Sequence, residues 1–385
     1  MSYLFPTYAK WDVKPKTAKG CYLIDQSGKT YLDFTSGIGV CNLGHQPDEV
    51  KEEVLKQLDG YWHVSNLFQM ENQEIAAELL AKAAGLDAVF FANSGAEANE
   101  AAIKLARKAT GKSKIITFEK SFHGRTFATM AATGQDKIKQ GFGTMLETFV
   151  YVPYNDITSL EQEMDEDVAA VMLEVIQGEG GINVGDAEFL KSVEKLCHEN
   201  HSLLIIDEIQ TGIGRTGKPF AYQHFGLNPD IITVAKGLGS GFPIGAMVGK
   251  AELKAYFGPG SHGSTFGGNP VAIASAIATM KKIFSEAFLE EVKQKSDNFM
   301  KELEKALLEL PIVNEIRGLG MMIGIDIQGN IPAILAEIRE EGLLVLSAGD
   351  SVIRLLPPLT VSLAELKKGL DIITKVLKKH CLAAI

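Results

Sequence analysis

Apolar residues recur at helical spacing over residues 48–58 and 71–84, the period of a helix that buries one face. Compact apolar runs follow at 88–92, 113–117, 168–173, 202–206 and 231–235. Each has strand length and is apolar at successive positions, as a strand covered on both faces must be. Between several of them, as at 99–110 and 187–200, helical spacing returns. Strands alternating with helices predict an α/β protein with a mostly parallel sheet, clad in helices on both sides. Ligands of such sheets bind beyond the carboxyl ends of the strands.

The two ends of the chain read differently. Short β-like runs broken by glycine lie at 21–25 and 30–34. Beyond about 275, amphipathic helices at 270–284 and 286–308 lead into mixed strands around 317–327 and 351–356, then a last helix at 362–379. A chain of 385 residues is too long for one small core. The expected division is a large lobe over 50–275 and a smaller α+β lobe from residues 1–49 and 276–385.

Composition narrows the function. The net charge is −10 and no basic stripe stands out, so no nucleic-acid partner is expected. Cys21, Cys41, Cys197 and Cys381 form no CxxC pair, so no metal or redox centre is expected. The longest apolar runs, 203–206 and 271–280, fall short of the ~20 residues of a membrane span. The opening residues lack the basic-then-apolar pattern of a signal peptide. A reduced, cytoplasmic protein without a membrane partner is the expectation.

Two strand ends carry the strongest chemical signal. Leu203-Leu-Ile-Ile-Asp207-Glu208-Ile209-Gln210 ends an apolar strand in a carboxylate, and Ile231-Ile-Thr-Val-Ala-Lys236-Gly-Leu-Gly ends another in a lysine followed by glycines. A lone lysine is ordinarily a solvated charge, and a lone Asp after a strand a turn residue. Together they suit a flat, aldehyde-bearing ring: the amine can form an imine with it, the glycines let it approach the backbone, and the carboxylate can keep a ring nitrogen protonated. Asn93-Ser94-Gly95-Ala96-Glu97 follows a strand and opens a helix, where exposed N–H groups hold a phosphate. Two motifs are set aside. Gly212-Ile-Gly214-Arg-Thr-Gly217 matches GxGxxG, yet Lys218-Pro219 follows where a long helix is required. His198 and His201 lack a third ligand.

These residues strongly resemble the class-III aminotransferases, pyridoxal-phosphate enzymes of fold type I, over nearly the whole chain. Asn93–Asn99, Ser121-Phe-His-Gly-Arg-Thr126, the stretch 206–217 and Val234-Ala-Lys-Gly-Leu238 carry the resemblance, supported by Gln177-Gly-Glu-Gly-Gly181, Ser264-Thr-Phe-Gly-Gly-Asn269 and Arg354-Leu-Leu-Pro-Pro358. It implies that Lys236 is catalytic and holds pyridoxal 5′-phosphate covalently, that Asp207 pairs with the ring nitrogen, and that Gln210 contacts the ring hydroxyl. Phe122 and Ile209 would sandwich the ring. Ser94, Gly95 and Ala96 would bind the phosphate, joined by Thr265 from the other subunit of a homodimer with shared sites. Arg125 would hold a distal carboxylate and Arg354 an α-carboxylate, with Glu179 as its gate. Ser264 and Ile38 would border the substrate, Ile38 standing where ornithine-specific relatives carry tyrosine. The implied reaction moves the terminal amine of N2-acetylornithine to 2-oxoglutarate, in arginine biosynthesis. Succinylornithine, succinyl-diaminopimelate and ornithine remain alternatives, as does a non-catalytic regulator that binds the cofactor.

Overall fold

The computed structural model describes residues 2–383. Seven strands build the central sheet: β1 (Ala88–Ala92), β2 (Lys114–Phe118), β3 (Phe149–Val152), β4 (Val168–Leu173), β5 (Leu203–Asp207), β6 (Ile231–Val234) and β7 (Gly245–Gly249). Their spatial order is β3-β2-β4-β5-β6-β7-β1. All neighbours are parallel except the pairs that β7 makes with β6 and β1. Strand β4, in the interior of the sheet, is buried at every position, which is why it reads as an unbroken apolar run rather than an alternation.

The five apolar runs expected to be strands are strands, shifted by at most one residue at either end. Two strands, β3 and β7, were not expected. Strand β3 is a short edge strand. Strand β7, Gly-Ala-Met-Val-Gly, reads as a loop because of its glycines. A Cβ on Gly245 would overlap the carbonyl oxygen of Ser94, so tertiary packing, not local propensity, selects glycine there.

Both chain ends meet beside this sheet. Strands Pro15–Lys19, Tyr22–Asp25 and Thr30–Asp33 form an antiparallel meander. Leu343–Leu344 adds to it in parallel, with Leu343 opposite Leu32. A second antiparallel sheet joins Val313–Leu319, Met322–Ile327, Val352–Leu355 and Leu346–Ala348. The helix Pro270–Ile283 runs straight through residue 275 and packs on the helices Asp48–Leu58 and Glu71–Ala84 and on the segment Lys236–Gly239.

Candidate active site

The carboxyl ends of β1, β2, β4, β5 and β6 open on one cavity of about 440 Å³, where the parallel-sheet rule puts a ligand. Strand β7 runs the other way and brings Phe242–Ile244, ahead of its first residue, to the same rim. Among the lining residues are Ser94, Phe122, Arg125, Asp207, Ile209 and Lys236.

Helix Gly95–Thr110 points its N-terminus at the cavity, four residues earlier than its apolar spacing foretold. Ser94 caps it, its hydroxyl accepting from the N–H of Glu97 at 3.2 Å. The N–H groups of Gly95 and Ala96 find no acceptor among the described residues. A Cβ on Gly95 would lie 2.7 Å from Cδ1 of Ile209. Glycine is therefore required for the phosphate-sized cradle and Ile209 to sit side by side.

Asp207 ends β5 and is 3% exposed. Its Oδ2 accepts from Nδ2 of Asn99 at 2.8 Å and lies 2.8 Å from Nδ1 of His123; its Oδ1 accepts from the N–H of Ile209 at 3.0 Å. Asn99 is held in turn, donating to the carbonyl of His123 at 2.7 Å and accepting from the Thr233 hydroxyl at 2.6 Å. The other ring nitrogen of His123 is buried without a protein partner. Lys236 follows β6 with a left-handed backbone, φ +40°. Removal of its amine from water depresses its pKa, against the pull of Glu179 and with that of Arg354, a shift in the direction of the neutral, nucleophilic form.

At the Glu179 end of the cavity lies an ion pair whose arginine stands outside the lining residues. Arg354, from the strand Val352–Leu355, donates from Nη1 to Glu179 Oε1 at 2.6 Å, to the carbonyl of Gly178 at 2.9 Å and to Gln210 Oε1 at 3.1 Å. The Gln210 amide nitrogen also donates to Glu179 at 3.1 Å. Burial alone would raise the pKa of Glu179, but the Arg354 guanidinium outweighs it and holds the acid at about 2. Arg125 forms no ion pair among the described residues, its guanidinium lying 5.6 Å from the centre of the Phe122 ring.

The remaining expected site residues lie elsewhere. Thr265 is exposed, and Ser264 accepts from Asn93 at 3.0 Å; both line a separate hollow. Ile38 is 45% exposed on a turn whose residues Ser36 to Gly39 all have positive φ, and Val40 rather than Ile38 reaches the cavity. The structure adds His123, Asn99 and Glu174. Glu174 accepts from the N–H of Phe122 at 2.9 Å and of Gly178 at 3.1 Å. Burial pushes its carboxyl up to about 7, with His123 opposing and Asp207 reinforcing. Its signal was available: an acid directly after an apolar strand, as at Asp207. Asn99 was legible too, as the polar residue among Ala98, Ala101 and Ala102 on a buried helix face.

A phosphate cradle, a buried carboxylate and a desolvated amine around one slot fit a flat phosphorylated aldehyde. No helix among the described residues is long and apolar enough to cross a membrane. The chain is 59% identical to the acetylornithine aminotransferase of Bacillus subtilis strain 168, covering 99% of each. It shares 36% identity and a TM-score of 0.86 with the crystal structure of N-acetylornithine aminotransferase from Stenotrophomonas maltophilia K279a, covering 98% of each chain. The ornithine aminotransferase of Toxoplasma gondii, which shows partial occupancy of PLP at its active site, matches at TM-score 0.94 and 31% identity, over 98% of this chain and 93% of that one. With residues 6–377 matching the model of the class-III aminotransferases as well, the chain belongs to that family.

Proposed function

We propose that this protein transfers the terminal amine of N2-acetylornithine to 2-oxoglutarate, giving N-acetylglutamate 5-semialdehyde and glutamate. One observation carries the reading: a single cavity is lined by a desolvated amine, by Arg125, which forms no ion pair among the described residues, and by Glu179, the acid that holds the buried Arg354 just outside the lining. Arg125 suits the carboxylate of the long donor, gripping it at a distance from Lys236. Arg354 suits the α-carboxylate of 2-oxoglutarate, which must lie beside the reacting carbon. Glu179 neutralises Arg354 while the first substrate is bound and yields it to the second, so one pocket serves both.

Pyridoxal 5′-phosphate, when bound, supplies the aldehyde and the electron sink that the amine transfer needs. Lys236 would hold it through Nζ, with Ser94, Gly95 and Ala96 on the phosphate, Phe122 and Ile209 on the ring faces, Asp207 at the ring nitrogen and Gln210 at the ring hydroxyl. Asp207 keeps a fixed negative charge at the base of the slot, and His123 and Asn99 orient it. Nζ of Lys236 accepts the proton that leaves the reacting carbon of the substrate. The same reading makes the protein a cytoplasmic homodimer in which the partner subunit's Thr265 completes the phosphate site. It divides each chain into a cofactor lobe, 50–275, and a lobe from 1–49 and 276–385.

A panel of amine donors with 2-oxoglutarate as acceptor tests the reading. The kcat/KM for N-acetylornithine should exceed that for ornithine at least ~10-fold, about 1.4 kcal/mol of differential transition-state binding. Ornithine brings a charged α-amine that the apolar Ile38, exposed two residues before the cavity-lining Val40, would leave unsatisfied where a bound substrate covers it, so Ile38→Tyr should narrow the ratio. Equal turnover of ornithine, unchanged in Ile38→Tyr, would overturn the choice of substrate.

A further inference from the structure

Arg215 is fully buried and faces no carboxylate among the described residues. Its guanidinium donates from Nη1 to the carbonyls of Met321, at 3.2 Å, and Pro357, and from Nη2 to Oδ1 of Asn42 at 2.6 Å; Nε has no partner among the described residues. Burial lowers its pKa to about 9, which still leaves it charged near neutrality. A buried, unpaired charge is costly, so the arrangement needs an account. A lysine, whose three donors radiate from one nitrogen, lacks the planar fork that reaches these three segments from two nitrogens.

Those three segments lead to the site. Pro357 follows Arg354 by three residues. Met321 returns a hydrogen bond from its N–H to the carbonyl of Arg215 at 2.9 Å. Asn42 lies two residues after Val40, donates from Nδ2 to the carbonyl of Ile213 at 2.8 Å, and accepts from the N–H of Leu359 at its own carbonyl at 2.8 Å. Its amide fills the space above Gly237, where any Cβ would overlap Nδ2. Gly237 directly follows Lys236, whose left-handed φ of +40° is a strained conformation for a lysine and persists only if the surroundings hold it.

We propose that Arg215 and Asn42 are positioning residues: Arg215 orients the Asn42 amide, and that amide, pressed on Gly237, fixes the backbone from which Lys236 reaches the slot. The inference rests on Lys236 being the cofactor-bearing amine. Neither residue touches the cavity; each acts through Lys236. Because Arg215 also holds the segment behind Arg354, it keeps the amine and the α-carboxylate site in mutual register.

The test uses the cofactor-loaded protein and the variants Arg215→Met, Asn42→Ser, Gly237→Ala and Asn42→Ser/Gly237→Ala. Two quantities are read: kcat and KM for both substrates, and the visible circular dichroism of the bound cofactor per mole bound, which reports ring orientation and is blind to mere loss of stability. Each single variant should lose at least ~10-fold in kcat, since small misplacements of a reacting group are that costly. KM should stay within about threefold and the dichroic band should fall by a third or more. The double variant should lose at least ~5-fold less than the product of the two single losses, because removing the Asn42 amide makes room for the new Cβ. Wild-type kcat and an unchanged dichroic band in Arg215→Met and Asn42→Ser, or strictly multiplicative losses in the double variant, would overturn the proposal while leaving the amino-transfer reading intact. A wild-type protein with no cofactor band at all would overturn that reading, and this one with it.

Discussion

The two ends of the cavity handle buried charge in opposite ways. Asp207 is fixed on every side: the donors it meets are His123, Asn99 and a backbone N–H, and Asn99 is locked by two further bonds. Arg354 is as deeply buried, but the acid that neutralises it is 29% exposed and sits in the glycine-rich stretch 178–181. One end therefore holds a charge that does not move, and the other a pair in which one member has somewhere to go. A fixed charge suits chemistry common to both half-reactions; an exchangeable pair suits a pocket that must receive two different substrates.

The sharpest way to break this comparison is at the residue both ends share. Lys236→Ala should lower turnover at least ~10³-fold, the scale of losing a nucleophile and proton acceptor together. Borohydride reduction followed by peptide mapping should place the pyridoxyl label of the wild-type protein on Lys236 and on no other lysine. Next in size is the fixed end. Asp207→Ala should retain the cofactor through its phosphate yet lose on the order of 10²-fold in kcat with either substrate, since each unit of lost pKa shift at the ring nitrogen is about 1.4 kcal/mol. Near-normal rates would show that the buried carboxylate is structural.

The movable end should respond asymmetrically. Glu179→Gln leaves the charge of Arg354 without its neutralising acid at all times, so kcat/KM for N-acetylornithine should fall about 10-fold while the value for 2-oxoglutarate changes less than about threefold. Equal losses on both would erase the distinction between the ends. Because Arg354 holds Glu179 at about 2, protonation of that acid should not shape the rate between pH 6 and 9.

The smallest effect belongs to a pair outside the cavity. His45 lies 2.8 Å from Asp33, and its hydrogen bond to Asp33, aided by Cys41, raises its pKa to about 10. A base with a raised folded-state pKa stabilises the fold fully below its unfolded value, near 6.5, and loses that contribution as pH climbs through the folded value. His45→Gln should therefore lower Tm by a few degrees at pH 6 and progressively less towards pH 10. A gap that does not shrink would assign His45 a packing role alone.

Much of this site was readable from one-dimensional pattern. Asp207 and Lys236 each end an apolar run, and the parallel-sheet rule puts such ends on one rim. Ser94, Gly95 and Ala96 follow a strand and open a helix, which is a local signature. His123 stood inside a motif with no role assigned, because nothing local says that a histidine eighty-four residues before an aspartate will meet it. Gln210 is expected at the ring hydroxyl; its side chain lines the cavity and also bonds to Glu179 and Arg354, residues from two other segments that no local pattern links to it.

What the sequence determined by itself was whatever its periods and junctions encode: five strands of the sheet, the helices near 99–110 and 187–200 between them, and residues such as Asp207 and Lys236 at the strand ends. Burial on both faces forces apolar runs, and a change of period marks the junction, so these features survive in a linear reading. Tertiary structure alone decided the rest. It made β7 a strand although glycine bounds it, because Gly245 must pass the Ser94 carbonyl. It brought Leu343 beside Leu32, set Val40 rather than Ile38 in the cavity, and joined Arg215 to three distant segments. Each of these is a contact between residues far apart in the chain, chosen by close packing and by the need to satisfy buried polar groups, and neither has a period to read.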